Sequence, residues 1–428
     1  MKKIFVFACC FICSLSQAQG LDANEKMVLT YIDEHLAENK KLLKETVNIN
    51  SGTLNKEGVK KVGEIMAREL QKAGLTTTWV SLPDSLNRSG HLVATRKGSK
   101  GKRIFLIGHL DTVFEPDMPA NPFAMLNDST ATGQGVNDMK GGDVIVIAAL
   151  QALEHFGLLK DASITVYFTG DEENAGHPRE ISRGDFIERA KQCDVALGFE
   201  TATNLNTIAT ARRGASNWKL NVTAKTGHSS GIFNSGYGAI YEAARIINTF
   251  RDSLSTEKYL TFNPGIFVGG SEVVVDETTA SARAIGKTNI IAPNVYANGD
   301  LRFLTEAQKD AARIKMKKIT ENNLKGATAQ ISFSDGIPSM EPTEGNGRLL
   351  QKADVVSMAM GLGHVVAGDP GSRGAGDISY VAKYLDCIDG LGASGKGAHA
   401  PGETIDLKNY PILIKRAALL IYRLVNEK

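Results

Sequence analysis

Cysteine is scarce in this chain. Five occur among 428 residues, and three of them, Cys9, Cys10 and Cys13, crowd the amino terminus. Cys193 and Cys387 stand far apart, without the close spacing of a zinc–thiolate site, which excludes a disulfide-stapled scaffold and a thiolate metal knot. Both are expected in the core, and a disulfide between them stays open in an oxidising compartment. Charge of one sign is also lacking. The 49 Lys and Arg nearly balance 47 Asp and Glu, so nothing global argues for a nucleic acid or an anionic membrane as partner. Past residue 20 no apolar run is long enough for a membrane span. Internal repeats and low-complexity tracts are missing, which excludes solenoids and disordered arrays. What is there, 42% hydrophobic and 22% charged, is an ordinary globular composition with length enough for two domains.

Residues 1–20 read as a signal peptide. Lys2 and Lys3 form a basic start, Ile4 to Leu15 an apolar stretch too short to span a bilayer, and Ser16-Gln17-Ala18 a small-x-small cleavage site. The protein is therefore expected to be exported, either periplasmic or secreted. Without Lys2 and Lys3 its acidic and basic residues are equal in number.

The mature chain opens with two amphipathic helices, Asn24 to Ile49 and Asn55 to Ala73, the second closed by Gly74. Strands follow at Thr76–Leu82, His91–Arg96 and Ile104–Ile107. A helix apolar on nearly all faces, Gly142 to Phe156, then leads to a strand at Ser163–Phe168, and this order implies a parallel sheet with crossover helices. Another buried strand runs from Val195 to Phe199. After Arg212 the pattern changes to strict alternation, with Trp218, Leu220 and Val222 on one face, as in an antiparallel sheet with one wet side. A helix at Tyr237–Phe250, a strand at Val295–Phe303, a helix from Glu306 and a strand at Ala329–Phe333 complete a compact unit. The closing stretch returns to the first pattern and ends in a helix at Leu407–Val425. The expected architecture is α/β: a mixed, mostly parallel sheet with helices on both faces over residues 21–211 and 337–428. A smaller α+β domain, 212–336, interrupts it.

Several polar residues sit where such sheets bind ligands, at the carboxyl ends of strands. His109 and Asp111 leave the end of Ile104–Ile107 two residues apart and so point to one side. Asp138 lies in the glycine-rich loop Gly135-Val136-Asn137-Asp138-Met139-Lys140-Gly141-Gly142, where it serves as a helix cap or a ligand. Asp171-Glu172-Glu173 follows a buried strand, and three consecutive acids repel one another unless they are solvated or a cation is present. Glu200 ends another buried strand, and His399 sits in a glycine-rich loop near the end. Two imidazoles and three carboxylates suit zinc-like ions.

The segments His109-Leu110-Asp111-Thr112-Val113, Gly135 to Gly142, Thr169 to Glu173, Phe199-Glu200-Thr201 and Gly395 to His399 together resemble the co-catalytic zinc metallopeptidases of the aminoacylase and carboxypeptidase G family. The likeness is greatest to the glutamate carboxypeptidases among them and covers nearly all of the mature chain. The resemblance implies two Zn²⁺ per subunit, with Co²⁺ or Mn²⁺ as alternatives. His109, Asp138 and Glu200 would hold one ion and Asp138, Glu173 and His399 the other. It makes Asp111 the residue that orients His109, and Glu172 the general base for amide hydrolysis. It also implies a cis peptide after Asp138. The smaller domain would serve dimerisation or act as a lid, with His228 reaching across a homodimer to the oxyanion and Asn289 and Arg302 binding the substrate carboxylate. The substrate implied is a small peptide or an N-acyl amino acid.

Three departures from the glutamate carboxypeptidase pattern bear on specificity. Ser334 to Ser339 stands where an Arg-Gly-Arg-Pro segment is expected, Ala175 to Glu180 is an added loop beside the acids, and Gly374 to Asp377 alters a late motif. An N-acyl amino acid deacylase and a non-catalytic binding protein are the competing readings. A phosphate loop at Gly390–Lys396 fails because Gly397 replaces the required Ser or Thr. His35, His91, His155, His177 and His364 carry no motif, although His177 lies close to the acidic loop.

Overall fold

A computed structural model describes residues 20–277 and 279–427. The leader expected over residues 1–20 falls outside them up to residue 19. Its central sheet has six strands in the spatial order Thr76–Val80, His91–Arg96, Ala162–Thr169, Lys100–His109, Val195–Gly198, Asp386–Ile388. The last four run parallel to one another, and His91–Arg96 is antiparallel to both of its neighbours. The sheet is thus mixed and mostly parallel.

Alternation along Lys100–His109 sorts its side chains between two cores. Ile104 and Leu106 join the larger one, beneath the helices Lys56–Lys72, Lys140–His155 and Tyr410–Val425, whereas Phe105 and Ile107 join a smaller one with Tyr167, Phe186 and Ile378. Helical segments therefore cover both faces. Lys140–His155 buries nearly every residue, which is why it lacks the polar stripe of a surface helix.

The first helix departs from expectation. Its stretch is divided at His35 into Ala23–Glu34 and Leu36–Val47. The His35 ring stacks on Tyr31 and its Nδ1 lies 2.9 Å from the Tyr31 carbonyl, which also accepts the His35 backbone N–H at 3.1 Å.

A second, four-stranded antiparallel sheet has the order Thr261–Gly270, Asn294–Phe303, Gly214–Ala224, Ala327–Asp335. Trp218, Leu220 and Val222 face the helices Gly238–Leu254 and Glu306–Glu321 in a core of their own, while the alternate positions are more open. The chain crosses between the two sheets where Arg212 and Met340 exchange backbone hydrogen bonds of 2.9 and 3.0 Å. Cys193 and Cys387 are free and buried, so the disulfide left open above does not form. Among the described residues no helix is long and apolar enough to cross a membrane.

Candidate active site

Parallel register brings three strand ends to one place. His109 is paired with Thr169, and Ile107 with Gly198. His109, the acidic loop after Thr169 and Glu200 therefore leave the sheet side by side. Asp138 approaches from the loop that enters Lys140–His155, and its peptide bond to Met139 is cis, as expected. His399 occupies the turn of a hairpin between Gly395–Lys396 and Thr404–Asp406. Its φ of +66° is left-handed, a conformation that His tolerates better than most residues.

These side chains converge in two triads. His109 Nε2 lies 3.3 Å from Asp138 Oδ1 and 3.8 Å from Glu200 Oε1. His399 Nε2 lies 3.1 Å from Asp138 Oδ2 and 3.2 Å from Glu173 Oε2. Within each triad the donor atoms are at most 4.8 Å apart, and Asp138 turns one oxygen to each. A tetrahedral ion with bonds of about 2.0–2.1 Å sets neighbouring ligand atoms roughly 3.3 Å apart. His109 Nε2, Asp138 Oδ1 and Glu173 Oε1 are buried and make no hydrogen bond, the signature of atoms meant for another partner. On both spacing and donor chemistry these residues fit a pair of divalent cations.

Electrostatics points the same way. Burial, then repulsion from Asp138, pushes Glu200 up to about 7. Burial likewise pushes Glu173 up to about 10, with repulsion from Asp138 and Glu172 adding to it. Glu172 is held well above the carboxylate range by burial and by Glu200. Of these four carboxyls Asp138, for which the two imidazoles outweigh burial, is the one held well below it. So many acids crowded out of water need positive charge to stay ionised.

Asp111 does more than its expected role. Its main-chain oxygen lies 3.0 Å from His109 Nδ1, whereas its carboxylate Oδ1 is 3.5 Å away. The carboxylate instead accepts the backbone N–H groups of Glu172 and Glu173 at 3.0 and 3.1 Å and the Thr53 hydroxyl at 2.6 Å. It therefore fixes the acidic loop as well as the imidazole. Asp171 is not a free acid either. The buried Arg183 bridges it to Asp377, which accepts from Thr169 Oγ1 at 2.6 Å. His91 is a core residue that accepts the Gly170 N–H and faces the Ser182 carbonyl. Arg183, Thr53 and Glu403, discussed below, escaped the sequence reading because a lone Arg, Thr or Glu in a loop carries no spacing signal.

The candidate residues of the smaller sheet belong to neither triad. His228 and Asn289 are exposed in adjoining loops, joined by a 2.9 Å hydrogen bond from Ser229 N to Asn289 O. Those loops adjoin the Asn294 end of Asn294–Phe303. Arg302 stands at the other end, paired with Asp300 at 2.7 Å. His177 belongs to neither triad; it lines a cleft of about 490 Å³ with Arg179, Tyr380 and Ser334–Gly336.

Paired cation triads at the carboxyl ends of parallel strands, with a further buried acid next to them, define a class of metal-dependent hydrolase. The chain belongs to the peptidase family M20/M25/M40, whose model matches residues 105–423. It is similar to Carboxypeptidase G2 of Pseudomonas sp., 29% identical over 391 residues that cover 89% of this chain and 88% of that protein. A succinyl-diaminopimelate desuccinylase of Magnetococcus marinus is 23% identical over 375 residues, covering 84% and 92%. Among solved structures, aminopeptidase PepT from Bacillus cereus matches with a TM-score of 0.71 at 17% identity, over 94% of this chain and 98% of that one. A dinuclear metal binding peptidase of the same family from Bacillus subtilis matches at 0.64 and 15% identity, over 94% and 99%. At those identities the two structures speak for the fold. The protein is thus a hydrolase of this peptidase family with candidate ligands for two metal ions.

Proposed function

We propose that the protein is an exported, zinc-dependent exopeptidase of the carboxypeptidase type, working as a homodimer on small peptides. A glutamate-like residue is among those it would release. The observation that carries this reading is the sharing of Asp138 between two triads of zinc-type donors. His109, Asp138 and Glu200 would hold one ion and Asp138, Glu173 and His399 the other. Ions held there supply Lewis acidity toward an amide carbonyl and acidify water. Glu172 takes a proton from the attacking water and returns it to the leaving nitrogen, a role suited to a carboxyl whose proton affinity is raised by burial. Asp111 holds both the His109 ring and the Glu172 backbone in place.

Arg302 would grip the substrate carboxylate together with Asn289 of the partner subunit, and His228 of the partner subunit would donate to the oxyanion. The dimer is supported by distance. Asn294 to Arg302 is eight steps of extended chain, about 27 Å, too far for His228 and Arg302 of one chain to meet on a dipeptide. Export is supported by the basic, apolar and small-residue order of the leader, and carboxypeptidase action by the likeness to Carboxypeptidase G2.

A second reading, removal of an acyl group from an N-acyl amino acid, draws on the likeness to a desuccinylase and on the missing arginine segment at Ser334–Ser339. Dipeptides and N-acyl amino acids assayed side by side on zinc-loaded protein separate the two. Efficient turnover of the N-acyl amino acids alone sinks the peptidase reading.

A further inference from the structure

Glu403 is fully buried, yet it lies on the hairpin whose turn exposes His399. Its carboxylate crosses to the Asp138 loop. Oε2 accepts the Gly135 N–H at 3.1 Å, and Oε1 accepts those of Asn137 at 2.7 Å and Asp138 at 2.8 Å. Its own carbonyl accepts from Thr132 Oγ1 at 2.7 Å, so the residue is anchored on both sides. Three backbone donors converging on one spot form a nest that selects an anion. The His399 ring meets protein only through Asp138 and Glu173 among the ion pairs of the described residues, and its side chain is 57% exposed. Those two carboxylates are therefore the polar contacts that hold a ring largely open to solvent. Among the hydrogen bonds of the described residues, the tie from the hairpin carrying His399 to the backbone of the shared ligand is made by Glu403.

We propose that Glu403 is a positioning residue that sets Asp138 against His399 and preforms the second cation site before an ion arrives. This deepens the cation reading of the two triads and rests on it. A carboxylate is required because the nest spreads over both oxygens. Glutamine offers a single acceptor and turns an NH₂ toward the remaining donor.

The test uses the full-length mature protein, stripped of ions, with Zn²⁺ alone as probe. Amide hydrogen exchange is followed at Gly135, Asn137 and Asp138, and zinc affinity is measured by chelator competition. Glu403→Ala is expected to speed exchange at those three amides and to weaken one of two zinc sites about 10–100-fold, the usual effect of removing an outer-shell partner. Glu403→Gln should keep protection at Asn137 and Asp138 and lose it at Gly135, with intermediate affinity. His399→Ala should weaken the same site and leave the amides unchanged. Should Glu403→Ala lose protection throughout the chain, Glu403→Gln decides by the same three amides. Unchanged exchange and unchanged affinity in a folded Glu403→Ala overturn the proposal. Wild-type protein that binds no zinc overturns the cation reading, while the exchange measurement on ion-free protein still decides whether Glu403 holds the loop.

Discussion

The two sheets of this protein handle their polar residues in opposite ways. At the central sheet the candidate acids are shielded and clamped, and only His399 among the ligands is exposed: Asp111 holds the acidic loop, Arg183 neutralises Asp171 and Asp377, and Glu403 holds the loop of Asp138. On the smaller sheet His228 and Asn289 are exposed, and Arg302 pairs with an acid on its own strand. One region preorganises its chemistry within a single chain. The other leaves His228 and Asn289 open to solvent. Bond-breaking groups demand fixed geometry, whereas groups that grip a substrate must first let it in.

The largest expected effect lies in the preorganised region. Asp138→Ala removes a donor from both triads at once, so elemental analysis should find both ions lost and turnover undetectable. Retention of two ions would show that the triads do not share a ligand. Glu172→Ala should keep both ions and lose activity by about 10²–10⁴, the range of a general acid–base group. Undiminished turnover would remove Glu172 from the mechanism.

The exposed region should respond differently. His228→Ala is expected to lower kcat by about 10²–10³ as an oxyanion donor. If that imidazole serves the partner's site, mixing His228→Ala with Glu172→Ala under subunit exchange gives mixed dimers with one intact site each. Activity then recovers to about a quarter of wild type at statistical exchange. No recovery, with exchange verified, would place His228 in its own chain's site and erase the contrast. The smallest effect is that of Arg302→Ala: KM for free-carboxylate peptides should rise by an amount worth about 1.5–3 kcal/mol, as for a charged hydrogen bond. C-terminally amidated analogues should be unaffected, and an equal loss on both would assign Arg302 to the fold rather than to the substrate.

How much of this was legible depended on the kind of signal. The buried run Ile104–Ile107, the apolar helix before His155 and the alternation of Trp218, Leu220 and Val222 were readable because burial imposes a period on the chain. The triad residues were readable because each lies inside a short motif, His109, Glu173 and Glu200 just past a buried strand, Asp138 at a helix entrance and His399 in a glycine-rich loop. His35 was missed as a break, since the pattern of Val28, Ile32, Leu36 and Leu43 runs on across it. The second task of Asp111 was also hidden. Its carboxylate serves a loop 61 residues further on, and no local spacing encodes that.

By itself, then, the sequence determined the α/β class, the order of the ligand-bearing segments and the excess of acids over imidazoles at their ends. All of these follow from local periodicity and residue chemistry. Only the tertiary structure decided that Asp138 turns one oxygen to each imidazole, that Arg183 and Glu403 stand behind the acids, and that His228 and Arg302 lie at opposite ends of one strand. Those are distances between residues remote in the chain. They are set by the parallel register of the central sheet and the length of the smaller one, which no single segment specifies.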